Sequence, residues 1–174
     1  MSAGSGDQEI VARARRIRWL VLDVDGVLTD GRLYYGAMGE ELKVFDVKDG
    51  FGIVRARRAG LGVALLSARE APATRQRAHE LEIDRLLLGR RDKGVAFDEL
   101  LRELDLDAAE VAAIGDDLPD LEVLQRVGIS FAPADAIGAV KSACDVVLGA
   151  PGGRGAVREM VELLLEWREA DPRA

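Results

Sequence analysis

Short apolar runs recur along the chain, and stretches with helical spacing separate them. Residues 17–24, IRWLVLDV, form the first run. Consecutive apolar positions without polar alternation read as a strand covered on both faces. GVALLSA predicts a second such strand over about 62–67. Leu86–Leu88 makes a third, Val111–Ile114 a fourth, and Gly128–Phe131 and Asp145–Leu148 the last two. Helices are predicted between them. One runs over 51–59 and stops at Gly60. One runs over 71–81 with Pro72 in its first turn. One runs over 92–104, capped by Asp92, with Val95, Leu100, Leu101 and Leu104 on one face. Short helices follow over 118–126 and 136–141, and an amphipathic helix over 154–168 closes the chain. Residues 31–46 hold two β-prone pieces around Gly36–Gly39 and predict a β-hairpin after strand one. Strands separated by helices predict an α/β fold, a three-layer doubly wound parallel sheet. No repeat or linker divides the 174 residues, so one domain is expected. Its first ten residues, MSAGSGDQEI, read as disordered. Residues 150–174 form a tail and helix.

Composition narrows the chemistry. The formal net charge is −7, which disfavours a sequence-independent nucleic-acid partner because phosphates would be repelled. The single cysteine, Cys144, excludes an internal disulfide, and the single histidine, His79, leaves no His-based metal site. Cys144, Trp19 and Trp167 read as packing, His79 as a surface helix residue. No run approaches the ~20 apolar residues of a membrane span or the core of an export signal, so a cytoplasmic protein is expected. Carboxylates, lysine and hydroxyls are left to carry any reaction.

Those groups collect where the strands end, which is where open parallel sheets bind ligands. Strand one runs into Asp23-Val24-Asp25-Gly26, strand two into Ser67, and strand four into Gly115-Asp116-Asp117, with Asp120 one turn later. Asp23 and Asp25 share a side of an extended chain. Carboxylates this crowded need a proton or a cation between them. A hard divalent ion with oxygen ligands answers that need, and Mg²⁺ suits it. Lys93, at the start of the 92–104 helix, adds positive charge for an anion, and Ser67 adds a hydroxyl and an N–H. These parts suffice to move a phosphoryl group onto an aspartate.

VLDVDGVLTDG at 21–31 resembles the first motif of the haloacid dehalogenase superfamily. Ser67, Lys93 and GDDLPD at 115–120 follow in the order of its second, third and fourth motifs. GEELKVFDVKDGFGI at 39–53 and GGRGAVREM at 152–160 are similar to the 3-deoxy-D-manno-octulosonate 8-phosphate (KDO 8-phosphate) phosphatase family, and the likeness covers about 17–166. The resemblance implies that Asp23 attacks phosphorus and ligates Mg²⁺ with Asp116. It implies that Asp25 is the acid and base, touching the metal through its backbone carbonyl. Ser67 and Lys93 would bind phosphate, and Asp117 and Asp120 would hold metal waters or orient Lys93. Asp46, Val47, Lys48, Asp49 and Gly50, with Arg69 and Arg77 on one helical face, would line the substrate pocket. Ala68 departs from the family, which has glycine between the second-motif hydroxyl residue and the arginine.

Spacing leaves no room for a cap domain. Asp25 and Ser67 are separated by 41 residues, and Ser67 and Lys93 by 25. An open site would be wet, so a second subunit or a large substrate is expected to cover it. The hairpin is apolar at Leu33, Tyr34, Tyr35, Met38 and Phe45. The resemblance implies a homotetramer in which such hairpins cover neighbouring sites, with Arg154 and Arg158 reaching an anionic substrate. The expected activity is an Mg²⁺-dependent phosphatase acting on a small-molecule sugar-acid phosphate. Three alternatives stay open: a nine-carbon sugar-acid 9-phosphate as substrate, a phospho-accepting receiver domain, and a non-catalytic tetramerisation module. The receiver is disfavoured because the acid pair closes strand one rather than strand three.

Overall fold

The computed structural model describes residues 5–37 and 41–170. Six parallel strands form its centre: β1 (Trp19–Leu22), β4 (Gly62–Leu66), β5 (Arg85–Leu87), β6 (Val111–Ile114), β7 (Ile129–Ala132) and β8 (Val146–Val147). Their order is β5-β4-β1-β6-β7-β8, so β1 lies inside the sheet with β4 on one side and β6 on the other. The chain builds outward from β1 in both directions, which makes its carboxyl end the switch point of the sheet.

Alternation along β1 explains the three layers. Leu20 and Leu22 join a core with Ile53, Ala78, Val157, Met160 and Leu164. Val21 faces the other way and packs with Ala96, Phe97, Leu100, Val123 and Val140. The first layer holds α1 (Ser5–Ala14), α2 (Val47–Arg58), α3 (Pro72–Glu80) and α7 (Ala156–Glu169). The second holds α4 (Lys93–Leu104), α5 (Leu121–Leu124) and α6 (Gly138–Ala143). Trp167 stacks on Phe131 with ring centroids 6.1 Å apart. His79 is exposed, and the half-buried Cys144 packs against the second core.

Four expectations need correction. Residues 5–10 are helical rather than disordered, because α1 carries Ile10 and Ala14 onto the first core; residues 1–4 lie outside the described residues. α2 begins four residues before position 51. Asp46 caps it by accepting from Lys48 N at 2.7 Å. On α4 the buried face is Ala96, Phe97 and Leu100, while Val95 is 52% exposed. Arg69 and Arg77 do not share a helix, since α3 starts only at Pro72.

Two further strands, β2 (Tyr34–Tyr35) and β3 (Glu41–Leu42), pair antiparallel. Met38 and Gly39 of the Gly36–Gly39 turn fall outside the described residues. Among the described residues no helix is long and apolar enough to cross a membrane.

Candidate active site

The ends of β1, β4 and β6 lie side by side because their registers match: Leu22 is level with Leu65 and Ile114. Asp23, Ser67 and Asp116 follow within two residues of those ends, so the sheet itself brings them together. The ladder continues through Asp23 N, which donates to Ile114 O at 3.1 Å. It also continues through Ser67 N, which donates to Leu87 O at 3.0 Å. Beyond Asp23 the chain winds into a tight turn. Val24 O accepts from Leu28 N and Thr29 N, and Val24, Val27 and Leu28 are driven into the core. Gly26, at φ +96°, passes so close to Asp116 that a β-carbon would collide with its carboxylate. Glycine is required there if Asp116 is to keep its place.

Lys93 is the first residue of α4. Asp92 caps the helix by accepting from Val95 N at 2.9 Å. The buried Lys93 ammonium donates to Asp23 Oδ1 at 2.6 Å and to Asp120 Oδ1 at 2.5 Å. The other oxygen of Asp120 accepts from Asp116 N and Asp117 N. Asp120 therefore fixes Lys93 and the loop around Asp116. Asp117 is exposed and caps the short 3₁₀ turn at Leu118–Asp120. Ser67 is buried, and its hydroxyl accepts from Arg69 N at 3.2 Å, so it shapes a turn rather than capping a helix. Ala68 has negative φ, a region open to any residue.

Charge is out of balance in this cluster. One carboxylate oxygen from each of Asp23, Asp116 and Asp120 lies within 4.8 Å of the others. Burial, reinforced by Asp120, pushes Asp23 well above the usual carboxylate range although Lys93 pulls the other way. Burial and Asp120 likewise push Asp116 up to about 6. Burial alone would lower Lys93, but Asp23 and Asp120 outweigh it and hold the ammonium above the ordinary lysine value. Asp116 Oδ1 is buried and accepts no hydrogen bond among the described residues. A buried carboxylate oxygen left this way needs a cation. The donor set is all oxygen, so the site fits a hard divalent ion such as Mg²⁺ held by Asp23 and Asp116. Asp120, occupied by Lys93 and two backbone N–H groups, is a support for these ligands.

Asp25 sits at the mouth of the cluster. Its Oδ1 accepts from the Lys43 ammonium, and its Oδ2 is 3.9 Å from Arg69 Nε. The Lys43 contact was not foreseen, because nothing in the sequence distinguishes Lys43 from other lysines in a β-prone segment. Thr29 carries no sequence signal of its role either. Its buried hydroxyl accepts from Gly26 N and Gly31 N and organises the turn.

The expected pocket residues divide. Arg77 donates to Asp46 O at 3.5 Å and lies over Gly50. Val47 and Lys48 are exposed in the first turn of α2. Asp49 is fully buried. It accepts from Gly155 N at 3.1 Å and Arg158 N at 2.9 Å, so it holds the start of α7. Arg158 pairs with Glu162 and lies over the Phe51 ring, 5.1 Å from its centroid, while Arg154 is exposed. A large open groove of about 940 Å³ runs along α3 between Pro72 and Leu86 and contains none of the strand-end acids.

Residues 88–157 match the haloacid dehalogenase-like hydrolases. The 3-deoxy-D-manno-octulosonate 8-phosphate phosphatase KdsC of Escherichia coli K12 is 44% identical over 93% of this chain and 86% of its own length. The crystal structure of the same phosphatase from Yersinia pestis superposes with a TM-score of 0.90. It is 43% identical and covers 92% of this chain and 87% of that one. The Moraxella catarrhalis phosphatase, solved with magnesium, phosphate and KDO, gives 0.90 at 34% identity, covering 92% of each chain. By these similarities the chain belongs to the 3-deoxy-D-manno-octulosonate 8-phosphate phosphatase family of haloacid dehalogenase-like hydrolases.

Proposed function

We propose that this chain is an Mg²⁺-dependent phosphatase that hydrolyses 3-deoxy-D-manno-octulosonate 8-phosphate to KDO and inorganic phosphate. The carrying observation is the buried Lys93 ammonium between Asp23 and Asp120, with Asp116 Oδ1 unsatisfied beside it. A non-catalytic module has no need to gather three carboxylates, two of them buried, around one buried ammonium.

Held by Asp23 and Asp116, a divalent ion supplies charge neutralisation for the phosphoryl oxygens. The protein's own groups perform the transfer. Lys93 and Ser67 bind the phosphate. An oxygen of Asp23 forms a bond to phosphorus while the bond from phosphorus to the sugar oxygen breaks. Asp25 gives its proton to that departing oxygen. It then takes a proton from the water that attacks phosphorus, and the bond from Asp23 to phosphorus breaks to release phosphate. Arg69 and Arg77 stand on the side of Asp25 and α2, where a sugar-acid carboxylate would need a cationic partner.

The working form is a homotetramer in the cytoplasm. Its support is an exposed apolar surface: Tyr34, Tyr35 and Leu42 on the β2–β3 pair, then Val44, Val47 and Phe51. A covering subunit would also keep bulk water from the phosphorylated Asp23. Turnover with Mg²⁺ is tested by comparing kcat/KM for eight- and nine-carbon sugar-acid phosphates, and assembly by sedimentation. The reading expects the eight-carbon ester to be preferred and the tetramer to dominate. A preference for the nine-carbon ester overturns the substrate, and a monomer overturns the shared lid.

A further inference from the structure

Lys43 is placed against the usual logic of an exposed edge. Its neighbours Leu42 and Val44 are each 63% exposed, while the Lys43 side chain is only 1% exposed. Along an extended segment side chains alternate, so here the apolar residues face out and the lysine faces in. Burying an ammonium is costly unless an anion meets it. Among the described residues Asp25 is such an anion, and it accepts through Oδ1. Asp25 Oδ2 is buried too, and it accepts no hydrogen bond among the described residues although Arg69 Nε stands 3.9 Å away.

We infer that Lys43 is a positioning residue for the reaction: it holds one oxygen of Asp25 and so aims the other at the sugar oxygen that leaves. This rests on the phosphatase reading and adds a residue to it. A carboxyl group turns broadly about its last torsion, and a single charge-assisted hydrogen bond is enough to fix that turn. Without it, Asp25 keeps its chemistry and loses its aim. The carboxylate Lys43 pairs with is Asp25, while Asp23 pairs with Lys93, so Lys43 acts through Asp25.

The consequence depends on the leaving group. When the bond from phosphorus to a sugar oxygen breaks, its electron pair goes to an alkoxide that needs the Asp25 proton. A nitrophenolate departs without one. The ratio kcat/KM covers only the steps up to that departure, so it isolates the aim of the acid. In Lys43→Met, kcat/KM for the sugar-acid phosphate should fall ~100-fold, within the usual range for general acid catalysis, and for 4-nitrophenyl phosphate less than about fivefold. Lys43→Gln keeps an N–H donor and should lie between Lys43→Met and wild type on the sugar ester. It also decides the matter if the methionine variant does not fold. Equal falls on both esters would overturn the inference, as would no fall on either. The phosphatase reading fails separately, if the wild type turns over both esters no better than Asp23→Asn.

Discussion

A buried carboxylate, Asp49, and a largely buried cluster of three are satisfied in opposite ways in this molecule. Asp49 lies wholly inside, with one oxygen on Gly155 N and the other on Arg158 N. Each oxygen has a backbone partner, so the contact is closed and serves to pin α7 against α2. Asp23, Asp116 and Asp120 gather around one ammonium, and Asp116 keeps an oxygen with no hydrogen-bond donor. Burial raises Asp49 and Asp23 alike, so burial alone does not separate a structural acid from a chemical one. What separates them is whether the available oxygens are already used.

The largest expected effect is on the open group. Asp23→Asn should lower kcat by more than ~10⁴-fold, as loss of a nucleophile does, and leave the fold intact because an amide oxygen can still accept from Lys93. Circular dichroism with a turnover assay checks both halves. Removal of divalent ion by a chelator should lower activity at least ~100-fold, and added Mg²⁺ should restore it. Mg²⁺ at a hundred times its Kd should also stabilise the wild type by ~2.7 kcal/mol in thermal melts, and stabilise Asp116→Asn far less. A full Mg²⁺ response in Asp116→Asn would erase the proposed difference between the two carboxylate groups.

The closed group should answer in stability instead. Asp49→Ala strands two buried N–H groups and should cost ~2–4 kcal/mol, with kcat within a few-fold of wild type while the protein is folded. Burial holds the Asp49 carboxyl above its ordinary value, against the pull of the Arg158 and Gly155 N–H groups. The folded state therefore binds that proton more readily than the unfolded chain. This contribution to stability is whole below about 3.9 and is lost as pH rises through the higher folded value. Urea midpoints across that window should fall less steeply with pH in Asp49→Asn than in the wild type. The smallest effect belongs to a residue serving both fold and site. Asp92→Ala removes the cap of α4 and should cost ~1 kcal/mol, and a modest rise in KM should follow because Lys93 begins that helix.

The open group was legible in the sequence and the closed one was not. Asp23, Ser67, Asp116 and Lys93 stand at ends of apolar runs or at the start of a helix, and parallel strands in register bring such positions together. Local pattern is enough to find them. The resemblance assigns Asp49 to the substrate pocket, and its structural role stays hidden because its partners lie over a hundred residues away, at Gly155 and Arg158. A local cause conceals the first turn of α2: polar Lys48 and Asp49 interrupt the apolar period that begins at Phe51. Lys43 was hidden by a local rule. An outward-facing lysine is the default beside a short exposed strand, and the position of Asp25 shows why this one turns in.

Acid quenching of the enzyme during turnover of the sugar-acid phosphate, followed by peptide mass spectrometry, tests the central claim most directly. A phosphoryl group should be found on Asp23, present with Mg²⁺ and absent after chelation and in Asp23→Asn. Turnover at full rate in Asp23→Asn, or a phosphoryl group trapped on any other residue, would contradict the account.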